Sequence, residues 1–264
     1  MSASSTPGYL RRMTGRHSAS AEPASAEPTS AEPTGAPADK ERAAEHVSQW
    51  WPAVSGAVAL IFAAGLGALI AYREGNLPFR FDSKWMEEVI EHRSPVWDIP
   101  AYVMNWVGGG IFGVTILPIL TVIALCVLKR FWGALYFAIA TIMSVVVVQL
   151  LKGIFRRPRP EDILVTADIG SFPSGHVANA ATMAVVIGFL LQRTWVWVAG
   201  VVYTVLMMVS RTYLGAHWIS DTVGGLMVGS ALAIIVWAPL AHRLHVERRR
   251  PPTIGSREAD VPRV

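Results

Sequence analysis

The chain has 264 residues, 52% of them hydrophobic and 16% charged, with a formal net charge of +4. Soluble domains average about 25% charged residues, so the deficit points to lipid, and so small a net charge argues against a nucleic-acid-binding protein. The one cysteine, Cys126, lies in an apolar run and excludes a disulfide within the chain.

Residues 1–48 are rich in Ala, Ser, Pro, Glu and Thr, and Ser-Ala-Glu-Pro recurs at 20–23, 25–28 and 30–33. Proline at this density cannot continue a helix or a central strand, and few large apolar side chains are present to bury. The expectation is a disordered tail over 1–48, a membrane domain over 49–244 and a basic tail over 245–264.

Crossing a hydrocarbon core about 30 Å thick takes roughly 20 apolar residues in helix. Uncharged runs of that order lie at 47–72, 99–128, 131–151, 176–192, 194–210 and 222–241. They lack the alternation of a membrane β-barrel. This predicts an all-α integral membrane protein, a bundle of six transmembrane helices with both termini on one side. The fourth and fifth runs are short. The second is long for one crossing and contains Gly108-Gly109-Gly110, which predicts a tilt or a kink.

Between the first two runs, Trp85, Met86, Val89 and Ile90 follow helical spacing, with Glu87, Glu88 and Glu91 among them. A short helix at the membrane surface is expected there. Most Lys and Arg residues fall on the side that holds both tails, and cytoplasmic loops carry such an excess. The expected placement is therefore multi-pass in the cell membrane, with both termini cytoplasmic.

Chemistry-bearing residues gather at the opposite ends of the runs. Lys152 ends the third run, and Arg159 follows between Pro158 and Pro160, which stop the helix and hold the arginine near the surface. Arg211 ends the fifth run. An arginine fork binds phosphate oxygens in pairs, and lysine adds a point charge. Arg156 and Arg157, by contrast, read as membrane-edge residues reaching toward headgroups.

Pro173-Ser174-Gly175-His176 directly precedes the fourth run. Serine is a favoured N-cap, glycine admits a ligand to the backbone, and a helix start offers free N–H groups to an anion. Taken alone, the string is more readily an ordinary capped helix start. His217 and Asp221, four residues apart, would share one face of a helix. A carboxylate on one imidazole nitrogen would fix the tautomer and free the other nitrogen for attack. Such a pair is as readily structural, although ionisable groups near a membrane core are costly and point to function. Two histidines and an aspartate also match a zinc ligand set, but three cations aimed at the same place would repel a metal ion. No metal and no cofactor is expected.

Together the three strings, K-x6-R-P, P-S-G-H and S-R-x5-H-x3-D, resemble the signature of the type 2 phosphatidic acid phosphatase superfamily of integral membrane lipid phosphatases, which includes bacterial undecaprenyl-diphosphate phosphatases. The resemblance covers roughly residues 52–244. It implies that Lys152, Arg159 and Arg211, with Ser174 and the Gly175 backbone, bind the substrate phosphate. It implies that His217, oriented by Asp221, is the nucleophile that forms a phosphohistidine, and that His176 protonates the leaving group and then activates water. The activity implied is metal-independent hydrolysis of a lipid phosphate or diphosphate, and the Lys and Arg distribution puts it at the extracytoplasmic face.

Only residues 161–172 separate the first two strings, which leaves little room for a soluble substrate-binding domain and favours a lipid presented from the bilayer. A polyprenyl diphosphate is the favoured substrate, with phosphatidylglycerophosphate and phosphatidic acid as alternatives. A reading of another class is a transporter or channel for phosphorylated molecules. That would call for basic residues through the membrane or a repeat of one half in the other, and neither is apparent.

Overall fold

The computed structural model describes residues 36–73, 77–166 and 168–249, with side chains from Trp51 onward. Among these residues there are eight α-helices, one π-helical turn and no strand.

Helix α1 spans Ala36–Tyr72 and so begins well before the predicted end of the tail. Between Pro37 and Pro52 no proline occurs, and the Ala, Glu, Lys and Arg residues there are strong helix formers. The repeat-bearing residues 1–35 lie outside the described residues. Helix α2, Arg80–Glu91, is the short helix expected between the first two runs.

The second run is a bent pair, α3 (Pro95–Gly108) and α4 (Leu117–Val127), joined through the π-helical turn Phe112–Ile116. The bend is 41°. It follows from Gly110, which takes φ +59°, and from Asn179, whose amide donates to the carbonyls of Gly108 at 3.4 Å and Gly113 at 3.0 Å. Backbone groups freed by the break thus find a partner.

Four further helices follow: α5 (Phe131–Phe155), α6 (Gly175–Leu191), α7 (Thr194–Tyr213) and α8 (Ile219–Arg249). Helix α8 runs past the predicted boundary at 244, and its last turn carries Arg248 and Arg249, which suit a helix C-terminus. Residues 250–264 lie outside the described residues.

Among the described residues, four helices are long and apolar enough to cross a membrane, or five if the bent pair is one span. Six were expected. The difference is α6, whose 17 residues reach about 26 Å, short of a hydrocarbon core of about 30 Å. Its first turn belongs to a polar site.

Helix α6 packs against α5, α7 and α8. Tyr136, Phe137 and Ala140 of α5, Met183 and Val186 of α6, and Ala233 and Val236 of α8 form one buried cluster. On α8, Gly225 and Gly229 lie against the backbone of Ser174 and Ala178, where any side chain would collide. Small residues that let backbones approach are the usual means of packing helices in lipid. Ile61, Phe62, Ile119, Ile142, Val198 and Val201 face outward. So much exposed apolar surface would be a liability in water and suits a membrane-embedded helical bundle.

Candidate active site

Two chain reversals and one helix start build the site. Helix α5 ends at Phe155, Arg156 takes a left-handed conformation, and Pro158 and Pro160 prevent the helix from resuming. After α7, Gly215 adopts φ +66° and turns the chain so that His217 falls just before α8. The two loops are fastened together. Leu164 N donates to Leu214 O at 2.9 Å, and Arg93 donates to Tyr213 O at 3.1 Å and Asp162 O at 2.9 Å.

The result is a cavity of about 350 Å³ lined by Lys152, Arg159, Gly175, His176, Arg211 and His217, with Asp168, Thr166 and the Gly108–Gly110 backbone. A side chain on Gly109 would meet the His176 ring, so the α3 terminus can approach the site only as glycine. Two further expected site residues, Ser174 and Asp221, are fully buried and are not among the residues that line it.

His217 is held by a carbonyl. Its Nδ1 donates to Ser171 O at 2.8 Å, which leaves Nε2 as an acceptor, 3.3 Å from Arg159 Nη1. Asp221 Oδ2 lies 3.8 Å from Nδ1, too far for a hydrogen bond. The expectation that Asp221 fixes the tautomer by a direct bond is therefore corrected: Ser171 does so. His217 stands in the turn before α8, so the face-sharing geometry of a helix does not apply. Asp221 instead accepts from Trp218 N at 2.9 Å and from Arg157 Nη1 at 2.6 Å. Burial holds the His217 imidazole well below its ordinary pKa, as do the charges of Arg159, Arg211 and Lys152, against the bond to Ser171. The ring is neutral at neutral pH.

His176, in the first turn of α6, donates from Nε2 to Asn105 O at 3.2 Å. The side chain of the same Asn105, on α3, accepts from Arg211 Nη1. Ser174 occupies the N-cap position of α6, yet its hydroxyl caps nothing and has no partner among the described residues. The first-turn N–H groups thus stay free of a side-chain cap, as an anion site requires.

Asp168 sits on the cations. Its carboxylate accepts from Lys152 Nζ at 2.9 and 3.1 Å and from Arg159 Nη2 at 2.6 Å, while its side chain is 52% exposed. Burial pushes its pKa up, but the Lys152 hydrogen bond and the charges of Lys152 and Arg159 outweigh this and hold it below the usual carboxylate value.

Arg157 overturns its reading as a headgroup-facing residue. It is 1% exposed and donates to Asp221, to Ser220 Oγ at 2.7 Å and to Asp82 Oδ2 at 2.8 Å. A guanidinium with two carboxylates beside it is buried rather than solvated. Arg156 is exposed.

Sequence reasoning thus missed Asp82, Asn105, Arg157, Asp168 and Ser171. Asn105, a polar residue amid an apolar run beside three glycines, was the one with a readable signal. Among the described residues, the group able to share a metal ion is Glu88, Glu91 and His92, exposed on α2 and not part of the cavity lining.

The PAP2 superfamily model matches residues 133–243, which hold all three strings. An undecaprenyl-diphosphatase of Sulfolobus acidocaldarius is 35% identical over 30% of this chain and 34% of its own. Phosphatidylglycerophosphatase B of Bacillus subtilis is 30% identical over 46% of this chain and 66% of its own. The YbjG protein of Escherichia coli, to which undecaprenyl-diphosphatase activity is provisionally assigned, is 33% identical over 50% of this chain and 72% of its own. The chain thus spans only about a third of the first relative's length and just under two thirds of the second's.

Among solved structures, the PAP2-type phosphatidylglycerolphosphate phosphatase of Bacillus subtilis superposes with a TM-score of 0.63 at 24% identity, over 74% of this chain and 98% of that one. Aquifex aeolicus LpxE gives 0.53 at 24% identity, over 60% and 95%. These two share the fold. The family match over the strings and the extent of likeness to YbjG show that the chain belongs to the PAP2 superfamily.

Proposed function

We propose that this protein is a membrane phosphatase that removes phosphate from lipid phosphates or diphosphates through a phosphohistidine on His217. The observation that carries the reading is the unprotonated Nε2 of a buried, neutral His217, which accepts from Arg159 Nη1 at 3.3 Å in a cavity shared with Lys152, Arg211 and His176. The Nε2 lone pair attacks phosphorus, and an N–P bond forms as the P–O bond to the lipid breaks. His176 passes a proton to the departing oxygen. It then takes a proton from water as that water attacks phosphorus, the N–P bond breaks and phosphate leaves. Lys152, Arg159, Arg211 and the Gly175 backbone neutralise charge on the equatorial oxygens, the main demand of phosphoryl transfer. No metal is required by this scheme.

A second cavity of about 410 Å³, almost wholly apolar and lined by α4 and α5, shares Val114, Val145 and Asn179 with the catalytic one. This supports a substrate whose hydrocarbon chain lies in the bilayer. Polyprenyl diphosphate is the favoured member, in keeping with the undecaprenyl-diphosphatase relative, ahead of phosphatidylglycerophosphate and phosphatidic acid. With α3–α4 as one bent span and α6 as a short one, six crossings bring both termini to the cytoplasmic side and the site to the outer face, in keeping with the Lys and Arg distribution.

The test is phosphate release by purified protein in detergent from undecaprenyl diphosphate, phosphatidylglycerophosphate and phosphatidic acid, with and without chelator. His217→Ala is expected to fold and to lose turnover, and wild type to trap an acid-labile, base-stable label from phosphorus-labelled substrate. Near wild-type rates in His217→Ala would remove the nucleophile assignment. A higher kcat/KM on a glycerolipid would pass the substrate assignment to that lipid.

A further inference from the structure

We propose that Asp82, on α2, is a positioning residue for the nucleophile, acting through the guanidinium and the backbone carbonyl of Arg157. This rests on the reading of His217 as the attacking group.

Both groups beside His217 Nδ1 depend on Arg157. The first is the Ser171 carbonyl, which takes the Nδ1 hydrogen; Ser171 N donates to Arg157 O at 2.9 Å. The second is the Asp221 carboxylate, 3.8 Å away, whose other oxygen accepts from Arg157 Nη1 at 2.6 Å. A shift of Arg157 therefore moves the carbonyl that fixes the tautomer and the negative charge that favours positive charge on the ring.

Arg157 is in turn held by Asp82. The carboxylate of Asp82 is 0% exposed and accepts from Arg157 Nη2 at 2.8 Å, Ser220 Oγ at 2.7 Å, Ser220 N at 2.9 Å and Phe79 N at 3.2 Å. It grips the guanidinium and the first turn of α8 together. The Phe79 and Trp218 rings lie 6.0 and 5.8 Å from the guanidinium carbon. Burying three charges costs more in desolvation than an apolar plug of similar size, so such a cluster is weak evidence of stabilisation. Its links to both groups beside His217 Nδ1 give it a use in orientation, as outer partners orient histidines that bind metals.

The charges matter as well as the geometry. His217 is faced by Lys152 of α5, Arg159 of the loop after it, His176 of α6, Arg211 of α7 and Asp221 of α8. Asp82 offsets the charge of Arg157 and leaves the negative charge of Asp221 for His217. Without Asp82, the guanidinium draws on Asp221 alone, and positive charge on the ring becomes costlier.

Asp82→Asn removes that charge with little change of volume. The expected result is a kcat lower by roughly tenfold or more, with KM within about twofold. The acidic limb of the kcat/KM profile is expected to move to lower pH. Ser220→Ala, which removes the hydroxyl shared by Arg157 and Asp82, is expected to lower kcat in the same way but less.

A folded Asp82→Asn protein with wild-type kcat and an unmoved acidic limb, or with a raised KM alone, would overturn the proposal. If that variant does not accumulate, Ser220→Ala decides, and an unchanged kcat in it is equally fatal. If wild type traps no phosphoenzyme, or His217→Ala still turns over, the nucleophile reading fails instead, whatever Asp82→Asn does.

Discussion

The carbonyl of Ser171 accepts the Nδ1 hydrogen of His217 at 2.8 Å, and that bond is what leaves Nε2 without a proton and with its lone pair available. A backbone acceptor cannot be titrated, so the tautomer persists over the whole working pH range.

Protonation of Nε2 is the event that stops attack. Burial and three nearby cations hold the His217 pKa well below 6.5. Activity should therefore persist as pH falls through about 6.5 and be lost only well below it, as read from kcat/KM against pH. Stability has the opposite trend. Unfolded His217 takes up a proton near its ordinary value while the folded ring does not, so the native state loses stability as pH falls below about 6.5. The thermal midpoint in detergent should drop over that window, and less in His217→Gln.

Asp168 is paired with Lys152 and Arg159, the cations proposed to hold the substrate phosphate, so a bound phosphate would have to displace it. A half-exposed ion pair contributes at most about 1 kcal/mol, which is about fivefold in affinity. Asp168→Asn should tighten inhibition by inorganic phosphate by up to about that factor, measured as the inhibition constant in the hydrolysis assay.

Arg159 uses its whole fork, on Asp168 and Gly170 O from Nη2 and on Ala216 O and His217 Nε2 from Nη1. Lysine would keep the charge and lose the geometry. Arg159→Lys is expected to reduce kcat/KM by about 10²–10³-fold, the usual cost of one oxyanion donor. Phosphate release kinetics read this directly.

The contact of α6 with α8 rests on glycine. A side chain at Gly229 would run into the Ala178 backbone, whereas one at Gly65 meets nothing within 4 Å. Gly229→Val should destabilise by about 1–3 kcal/mol, and Gly65→Ala should gain up to about 1 kcal/mol of helix propensity. Thermal unfolding in detergent separates the two.

Much of the fold was legible because a membrane span is written as an uninterrupted apolar run. The kink at Gly108–Gly110 was legible as well, through the glycines. The extent of α1 was not: residues 36–48 were grouped with the proline-rich repeat by composition, although no proline falls between Pro37 and Pro52. The length of α6 was legible too, since the short run at 176–192 matches Gly175–Leu191 to within one residue at each end.

For the site, the three strings marked Lys152, Arg159, Ser174, Gly175, His176, Arg211, His217 and Asp221, and all but Ser174 and Asp221 line one cavity. What holds them was decided by tertiary structure. Asp82 meets Arg157 across 75 positions, and Asn105 meets Arg211 across 106. The acceptor on His217 is a main-chain oxygen, which every residue possesses and which therefore leaves no trace in the sequence. Arg156 and Arg157 are adjacent and identical in type, yet one faces outward and the other lies buried between two carboxylates. Only the path of the chain after the left-handed turn at Arg156 tells them apart.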